Sequence, residues 1–181
     1  DWMEEWLQTE WPDLKVYLTS VTEEWSVVTL SGPNAGKILK AAGVDISLDP
    51  ADFPFMTMRE AHIAGLPVRI FRISFTGELS YEINIRARHG LALWTHLMKA
   101  GAEHGITPYG TEAMHVLRAE KGFIIVGQET DGSVTPQDLG MDWIVSKVKP
   151  DYIGKRALER ASMAADNRKQ LVGLRTRERK Q

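Results

Sequence analysis

Two carboxylates and two aromatic residues lie close together in residues 72–83 of this 181-residue chain. Thr76-Gly77 is a turn signal, because glycine reaches positive φ without steric cost. On the strand predicted to follow, alternation places Tyr81 on one face and Glu82 on the other. The Glu82 carboxylate, beside the aromatic ring of Phe75, could bind the nitrogen-rich edge of a heterocycle. The same spacing also suits a surface hairpin whose glutamate is solvated.

Arg118 is a second candidate binding residue, near the end of a helix predicted over Thr111–Glu120. A guanidinium in this place could orient Glu82 or contact an anionic or carbonyl group of a ligand. Alternatively, Arg118 belongs to an ordinary surface charge pattern with Glu112 or Glu120, which contributes about 0–1 kcal/mol. The sequence leaves both interpretations open.

Composition and missing motifs exclude several other kinds of site. The formal net charge of −2 gives no electrostatic argument for a nucleic-acid or anionic-membrane partner. The absence of cysteine excludes disulfides, thiolate metal sites and a cysteine nucleophile, and it suits a reducing, cytoplasmic compartment. The five histidines show no metal-ligand spacing, so no metal site is predicted. No apolar run approaches the roughly 20 residues of a membrane helix.

Strands and helices alternate in the part of the chain that must position these residues. Apolar periodicity and turn signals predict strands over residues 15–21, 25–30, 57–63, 67–74, 79–85 and 139–148. The same reasoning predicts helices over residues 2–10, 34–42, 90–104, 111–120 and 154–165. The order in the middle is β-α-β-β-β-α, which predicts an α+β fold: an antiparallel sheet with helices packed on one face, close to the ferredoxin-like or split βαβ arrangement.

Five short motifs, in order and in register, resemble the aminomethyltransferase family, which includes the glycine-cleavage T-protein. They are Ser31-Gly32-Pro33-x-Ala35, Phe75-Thr76-Gly77-Glu78-x-x-Tyr81-Glu82, Leu117-Arg118-x-Glu120-x-Gly122, Thr135-Pro136-x-x-Leu139-Gly140 and Asp151-Tyr152-Ile153-Gly154-Lys155. The tryptophan-rich opening and the Phe-Thr-Gly-Glu form are most similar to the folate domain of the branch that oxidises sarcosine or dimethylglycine.

The resemblance implies a tetrahydrofolate-binding domain whose folate-binding residues are Glu82, Arg118, Phe75 and Tyr81. In the family, the glutamate at the Glu82 position accepts hydrogen bonds from the pterin ring nitrogen and exocyclic amine. Two carboxylate oxygens match two parallel donors, and each charge-assisted bond is worth about 1.5–3 kcal/mol. Phe75 stands where the T-protein has a tyrosine, so the ring is kept and the hydroxyl is lost.

For the intact enzyme, the resemblance implies a sarcosine-oxidising complex. Its flavin (FAD or FMN) and NAD are not expected to bind this part of the chain, and its partners are the other subunits of the complex. The folate domain captures the one-carbon unit from sarcosine as 5,10-methylenetetrahydrofolate. Two alternatives are the free T-protein, whose partner is a lipoyl carrier, and a folate-dependent helper of iron–sulfur assembly. The signature of the latter matches residues 121–129 only imperfectly and contains a cysteine that this chain lacks.

The chain is also expected to be a fragment, truncated at both ends. Residues 1–14 are predicted as the tail of a helix from a preceding segment, 15–165 as the folate-binding domain, and 166–181 as the start of a C-terminal barrel domain. The family's catalytic aspartate would lie upstream of Asp1, so no catalytic residue is assigned. We therefore expect this part of the chain to have no oxidase activity by itself.

Overall fold

The computed structural model describes residues 1–174, which form two compact units. The first unit is Asp1–Met114 and contains the sheet, and the second begins at His115. Residues 175–181 of the predicted segment 166–181 lie outside the described residues. No helix in the described part of the chain is long and apolar enough to cross a bilayer.

A four-stranded antiparallel sheet forms the first unit. Its strands are β1 (Trp25–Ser31), β2 (Met58–Ile63), β3 (Leu66–Phe71) and β4 (Ser80–Arg86), in the spatial order β1-β4-β3-β2. The predicted strand at 25–30 and the predicted three-strand meander are therefore confirmed. Ala64 (φ 51°) and Gly65 (φ 78°) connect β2 to β3, and positive φ at both turn residues matches the right-handed twist of a hairpin.

Five α-helices occur in the described residues: α1 (Trp2–Thr9), α2 (Ala35–Ala41), α3 (Gly90–Ala100), α4 (Thr111–Glu120) and α5 (Lys155–Leu158). The helix predicted over residues 90–104 ends earlier, at Ala100, and a 3-10 turn follows. The helix ends here because Ile106 packs directly onto Gly101. The contact is so close that a Cβ added to Gly101 would lie 2.7 Å from the Ile106 Cβ. The Ile106 amide also donates to the Gly101 carbonyl at 3.1 Å, which reverses the chain.

The hydrophobic core lies between one face of the sheet and helices α2 and α3. The strands contribute alternate residues and the helices contribute one face each, which gives a single buried cluster that includes Leu30, Ile70, Ile83, Ile85, Ile38, Leu39, Leu93 and Leu97. This arrangement confirms the predicted α+β class with helices on one face of an antiparallel sheet. The side chains that alternate with the core residues along each strand lie on the opposite face of the sheet.

Three predicted elements are wrong. Residues 15–21 are irregular, and Tyr17 is 94% exposed. Within residues 1–174 this segment pairs with no strand, and an alternating pattern forms a strand only when a partner strand completes its hydrogen bonds. Residues 139–148 contain 3-10 turns instead of a strand, with Gly140 at φ 67°. The helix predicted over 154–165 is only α5, since this helix buries no side chain and has no side-chain cap.

Candidate ligand-binding site

The connection between β3 and β4 is a loop over residues 72–79, and the tight hairpin turn predicted there is wrong. Gly77 has φ 77°, as expected of a turn glycine. The loop is wide because Arg72 pairs elsewhere. Its amide donates to the Thr57 carbonyl and its carbonyl accepts from the Met56 amide, both at 2.9 Å. These bonds keep the chain beside β2 for longer than a two-residue turn would allow.

Two buried hydroxyl groups in this loop have no hydrogen-bond partner within residues 1–174. They are the Oγ of Ser74 and the Oγ1 of Thr76. Buried polar atoms in folded proteins are nearly always paired, so each unpaired one calls for a physical explanation, such as a bound water or ligand. Between them, Phe75 leaves 38% of its surface exposed. The loop thus combines an accessible aromatic ring with two hydroxyls that can accept a partner.

Glu82 lies on the sheet face opposite the core, as the alternation predicted. Its cross-strand neighbours are Thr29 on β1 and Phe71 on β3. The side chain is half-buried, and its Oε1 accepts one hydrogen bond from the Asn84 Nδ2 at 3.2 Å. Among residues 1–174, Asn84 is the one side chain that hydrogen-bonds this carboxylate, so Glu82 retains acceptor capacity on a partly dry surface.

Tyr81 lies in the core, on the face opposite Glu82. It is only 1% exposed, and its ring centroid is 6.1 Å from that of Phe53. Burial raises the pKa of the Tyr81 hydroxyl, and the nearby Arg72 charge opposes this only in part. The loop that contains Phe75 therefore leads directly into the strand that carries Glu82. Tyr81 lies on the other face of that strand, in the core.

Arg118, in the second unit, is buried at 6% exposure. Its Nη1 donates to the Phe123 carbonyl at 3.0 Å and lies 2.7 Å from Oε1 of Glu129. The ion pair is therefore with Glu129, and the surface pairing with Glu112 or Glu120 is not what the structure shows. The Nε of Arg118 is buried and has no hydrogen-bond partner in the described part of the chain.

Glu129 lies in the 121–129 stretch compared with the iron–sulfur helper signature, but it was not predicted as a binding residue. Its Oε2 accepts the Ile125 amide at 2.7 Å, and this bond, followed by the Arg118 guanidinium, holds the pKa of Glu129 below its usual range. The pairing depends on the path of an irregular loop, which no local spacing specifies. Ser74 and Thr76 were missed for a similar reason, since their burial is a product of tertiary packing.

A second charged cluster in the same unit is centred on Arg168, whose guanidinium donates hydrogen bonds through more than one nitrogen. Its Nε donates to both carboxylate oxygens of Asp138, at 2.9 and 3.1 Å, and its Nη1 donates to the Ser162 carbonyl at 2.6 Å. The Arg168 guanidinium, then the Thr135 amide, holds the pKa of Asp138 well below its usual range. This pair fastens two loop segments to each other.

A cleft of about 600 Å³ lies along the edge of β1 that β4 does not occupy. Its walls are mainly apolar and include Trp94, Met98, Tyr109 and Met114. Neither Glu82 nor the loop 72–79 lines it. The cleft is therefore a separate feature from the polar groups described above.

The part of the chain that contains the sheet matches a known protein family. The model of the GCVT N-terminal domain matches residues 1–149, and the chain belongs to this family. The predicted relationship to the aminomethyltransferases is thereby confirmed.

Three relatives show the range of proteins that the chain resembles. Sarcosine oxidase subunit alpha from Corynebacterium sp. (strain P-1) is 54% identical over 177 residues, which cover 96% of this chain and 18% of that protein. Mitochondrial dimethylglycine dehydrogenase from Homo sapiens is 38% identical over 80% of this chain and 17% of its own. The aminomethyltransferase of Chlorobaculum parvum is 36% identical over 87% of this chain and 42% of its own. The chain thus spans less than half the length of each relative.

Proposed function

We propose that this domain binds tetrahydrofolate, with Glu82 as the pterin anchor and with Phe75 as a further contact. The observation that supports this most directly is the outward, half-buried Glu82 carboxylate with free acceptor capacity. It stands close in sequence to a loop with two unpaired buried hydroxyls. The similarity to sarcosine oxidase subunit alpha and to aminomethyltransferases agrees with this assignment.

Glu82 on this face and the residues of the loop 72–79 fit the chemistry of a reduced pterin. The pterin edge carries parallel N–H donors, and a carboxylate that gives up one acceptor position to Asn84 still has others for them. Phe75 offers a ring for stacking, and the hydroxyls of Ser74 and Thr76 offer polar contacts at the ring's edge. Each charge-assisted bond to Glu82 contributes about 1.5–3 kcal/mol.

Tyr81 has an indirect role in this proposal. Its ring packs against Phe53 in the core, so it fixes the position of β4, and through the strand the position of Glu82. The side chain itself lies on the other face of the sheet. Tyr81 therefore supports the site by packing, and Glu82 makes the contact.

In the intact protein, we propose that the domain captures the one-carbon unit of sarcosine as 5,10-methylenetetrahydrofolate. Tetrahydrofolate, when bound, supplies the nucleophilic nitrogens for this step. The residues of this chain orient the ligand and exclude water, which is catalysis mainly by proximity. Flavin and NAD are then held by other parts of the complex, and its other subunits are the partners.

The test is the substitution Glu82→Gln in the full-length protein that contains this chain. We expect the tetrahydrofolate affinity, measured by calorimetry, to fall about 10- to 100-fold, because one charge-assisted pair is weakened. The yield of 5,10-methylenetetrahydrofolate should fall while sarcosine turnover continues. Glu60→Gln is the matched control, since Glu60 is on the same face of the sheet, on the edge strand β2, and is exposed. Equal affinity in both variants and the wild type would show that Glu82 is not the anchor.

A further inference from the structure

We propose that Arg69 and Arg86 bind the carboxylates at the glutamate end of tetrahydrofolate. The inference rests on the proposed function, because it concerns how the far end of the same ligand is held while its pterin end meets Glu82. It adds two binding residues and a direction for the ligand, along β4. Every residue of this site belongs to the first unit.

Arg86 lies on the same face of β4 as the proposed pterin anchor. Because side chains alternate along a strand, Glu82, Asn84 and Arg86 form one row on the outward face. At about 3.4 Å per residue, this row spans roughly 14 Å. Tetrahydrofolate is also elongated, with the pterin at one end, a benzoyl ring in the middle and the glutamate carboxylates at the other end. The order of these groups can therefore follow the order of the side chains.

The middle of the row offers an apolar surface to the benzoyl ring. Val27 lies opposite Asn84 in the pair of β1 and β4, and it is 53% exposed. A ring that covers this side chain removes apolar area from water on both partners, which favours binding. The ligand would thus contact the sheet between its two polar ends.

Two guanidinium groups meet at the far end of the row, on the ring of Trp25. Trp25 lies opposite Arg86 on β1, and Arg69 lies opposite Asn84 on β3. The guanidinium carbons of Arg69 and Arg86 are each 4.7 Å from the centroid of the indole ring. Arg69 therefore reaches across β4 to the same ring. Attraction of the cations to the ring holds both guanidinium groups near one point of the surface.

Both guanidinium groups keep N–H donors for a ligand. Each has five donors, and within residues 1–174 each has one carboxylate partner. Glu24 accepts from Nη1 of Arg86, and Glu60 lies 3.5 Å from Nε of Arg69. Both ion pairs are exposed, so each contributes only about 0–1 kcal/mol. The side chains of Arg69 and Arg86 are 48% and 50% exposed, so a carboxylate can approach them from solvent.

The surface beside Arg86 has room for a second carboxylate. A cavity of about 420 Å³ is lined there by Arg86 and Arg88. Arg88 donates through Nε to the His89 ring at 3.1 Å, and no carboxylate in the described part of the chain pairs with it. A glutamate end carries two carboxylates, and planar guanidinium groups match their geometry. The cluster can therefore take both.

The experiment compares two ligands in the full-length protein by calorimetry. They are tetrahydrofolate and 6-methyltetrahydropterin, which has the pterin and lacks the benzoyl-glutamate end. We expect Arg69→Met and Arg86→Met each to weaken tetrahydrofolate binding about three- to fivefold, and the double variant about tenfold. The affinity for 6-methyltetrahydropterin should not change. The loss should also shrink at high salt, because exposed charges are screened.

Arg59→Met is the matched control for these variants. Arg59 also lies over an aromatic ring, since its guanidinium carbon is 5.8 Å from the centroid of Phe53. It is opposite the core residue Ile70, so it is not on the outward face. The tetrahydrofolate affinity of this variant should equal that of the wild type. An equal loss in Arg59→Met and in the two outward variants would contradict the inference.

The outcomes separate this inference from the proposed function. If the double arginine variant weakens both ligands equally, it acts through the fold and the inference fails. If it weakens neither ligand while Glu82→Gln weakens both, the pterin anchor stands and the carboxylate site is wrong. If Glu82→Gln changes neither affinity while the double variant weakens only tetrahydrofolate, the carboxylate site stands and the pterin anchor fails. If the wild-type protein does not bind tetrahydrofolate, both proposals are overturned.

Discussion

Truncating Ile83 to alanine should strongly destabilise the first unit. Ile83 is 0% exposed and lies opposite Val28 on β1 and Ile70 on β3. The change removes three carbons, and at about 0.8 kcal/mol for each buried methylene this loses about 2.4 kcal/mol. The cavity left behind adds to the loss, so we expect the free energy of unfolding to fall by about 2–5 kcal/mol. Urea unfolding followed by tryptophan fluorescence measures it.

Two further variants test whether the loss of stability follows from the burial of Ile83. Ile83→Val removes one carbon and should cost about 0.5–1.5 kcal/mol. Asn84→Ala, one residue further along β4 and on the outward face, should cost no more than about 1.5 kcal/mol, because it removes one hydrogen bond to Glu82 and no core packing. A register shifted by one residue would exchange the two faces of the strand. If Asn84→Ala were the costly change and Ile83→Ala the mild one, the placement of Glu82 on the outward face would be refuted.

Three other variants test separate features. Gly90→Ala should lower the free energy of unfolding, measured in urea, by about 1 kcal/mol, because the new Cβ would lie 2.6 Å from the Ser26 Oγ. Adding Ser26→Gly to this variant should restore part of the loss, because it removes the clashing side chain. Ala64→Asn should stabilise the fold by about 0.5–1 kcal/mol, because asparagine tolerates a φ of 51° better than alanine does. A thermal melt would detect the change. The Asp138 carboxyl has a lowered pKa in the fold, so its stabilising contribution is present above the unfolded value of about 3.9 and is lost as the pH falls toward the folded value. The Asp138→Asn variant should therefore be less stable than the wild type at neutral pH, where the wild-type carboxylate pairs with Arg168. It should also lose less stability on acidification, and urea unfolding from pH 7 to pH 3 measures both effects.

Local patterns were enough to predict the meander and the helices of the first unit. The alternation along 79–85 gave the correct face for Glu82, and the apolar periodicity of 111–120 gave the exact bounds of α4. These features depend on neighbouring residues along the chain, which the sequence displays directly. The same pattern in 15–21 did not make a strand, because a strand also needs a partner from another part of the chain.

The candidate site could be predicted only in part, for the same physical reason. Glu82, Phe75 and Arg118 were recognised by residue type and motif. The ion pair of Arg118 with Glu129 was not, because it depends on how the loop after α4 folds back. The inward position of Tyr81 was implied by alternation, yet only the packing against Phe53 shows that it serves the core.

The unpaired buried atoms have a consequence for the lifetime of the protein in a cell. Ser74 Oγ and Thr76 Oγ1 each cost about 1–3 kcal/mol while they lack a partner among residues 1–174. A ligand that hydrogen-bonds them binds the folded chain and not the unfolded one, so it shifts the folding equilibrium by mass action. Ligand-free molecules would be unfolded more often and degraded sooner. The abundance of the protein would then follow the supply of its ligand.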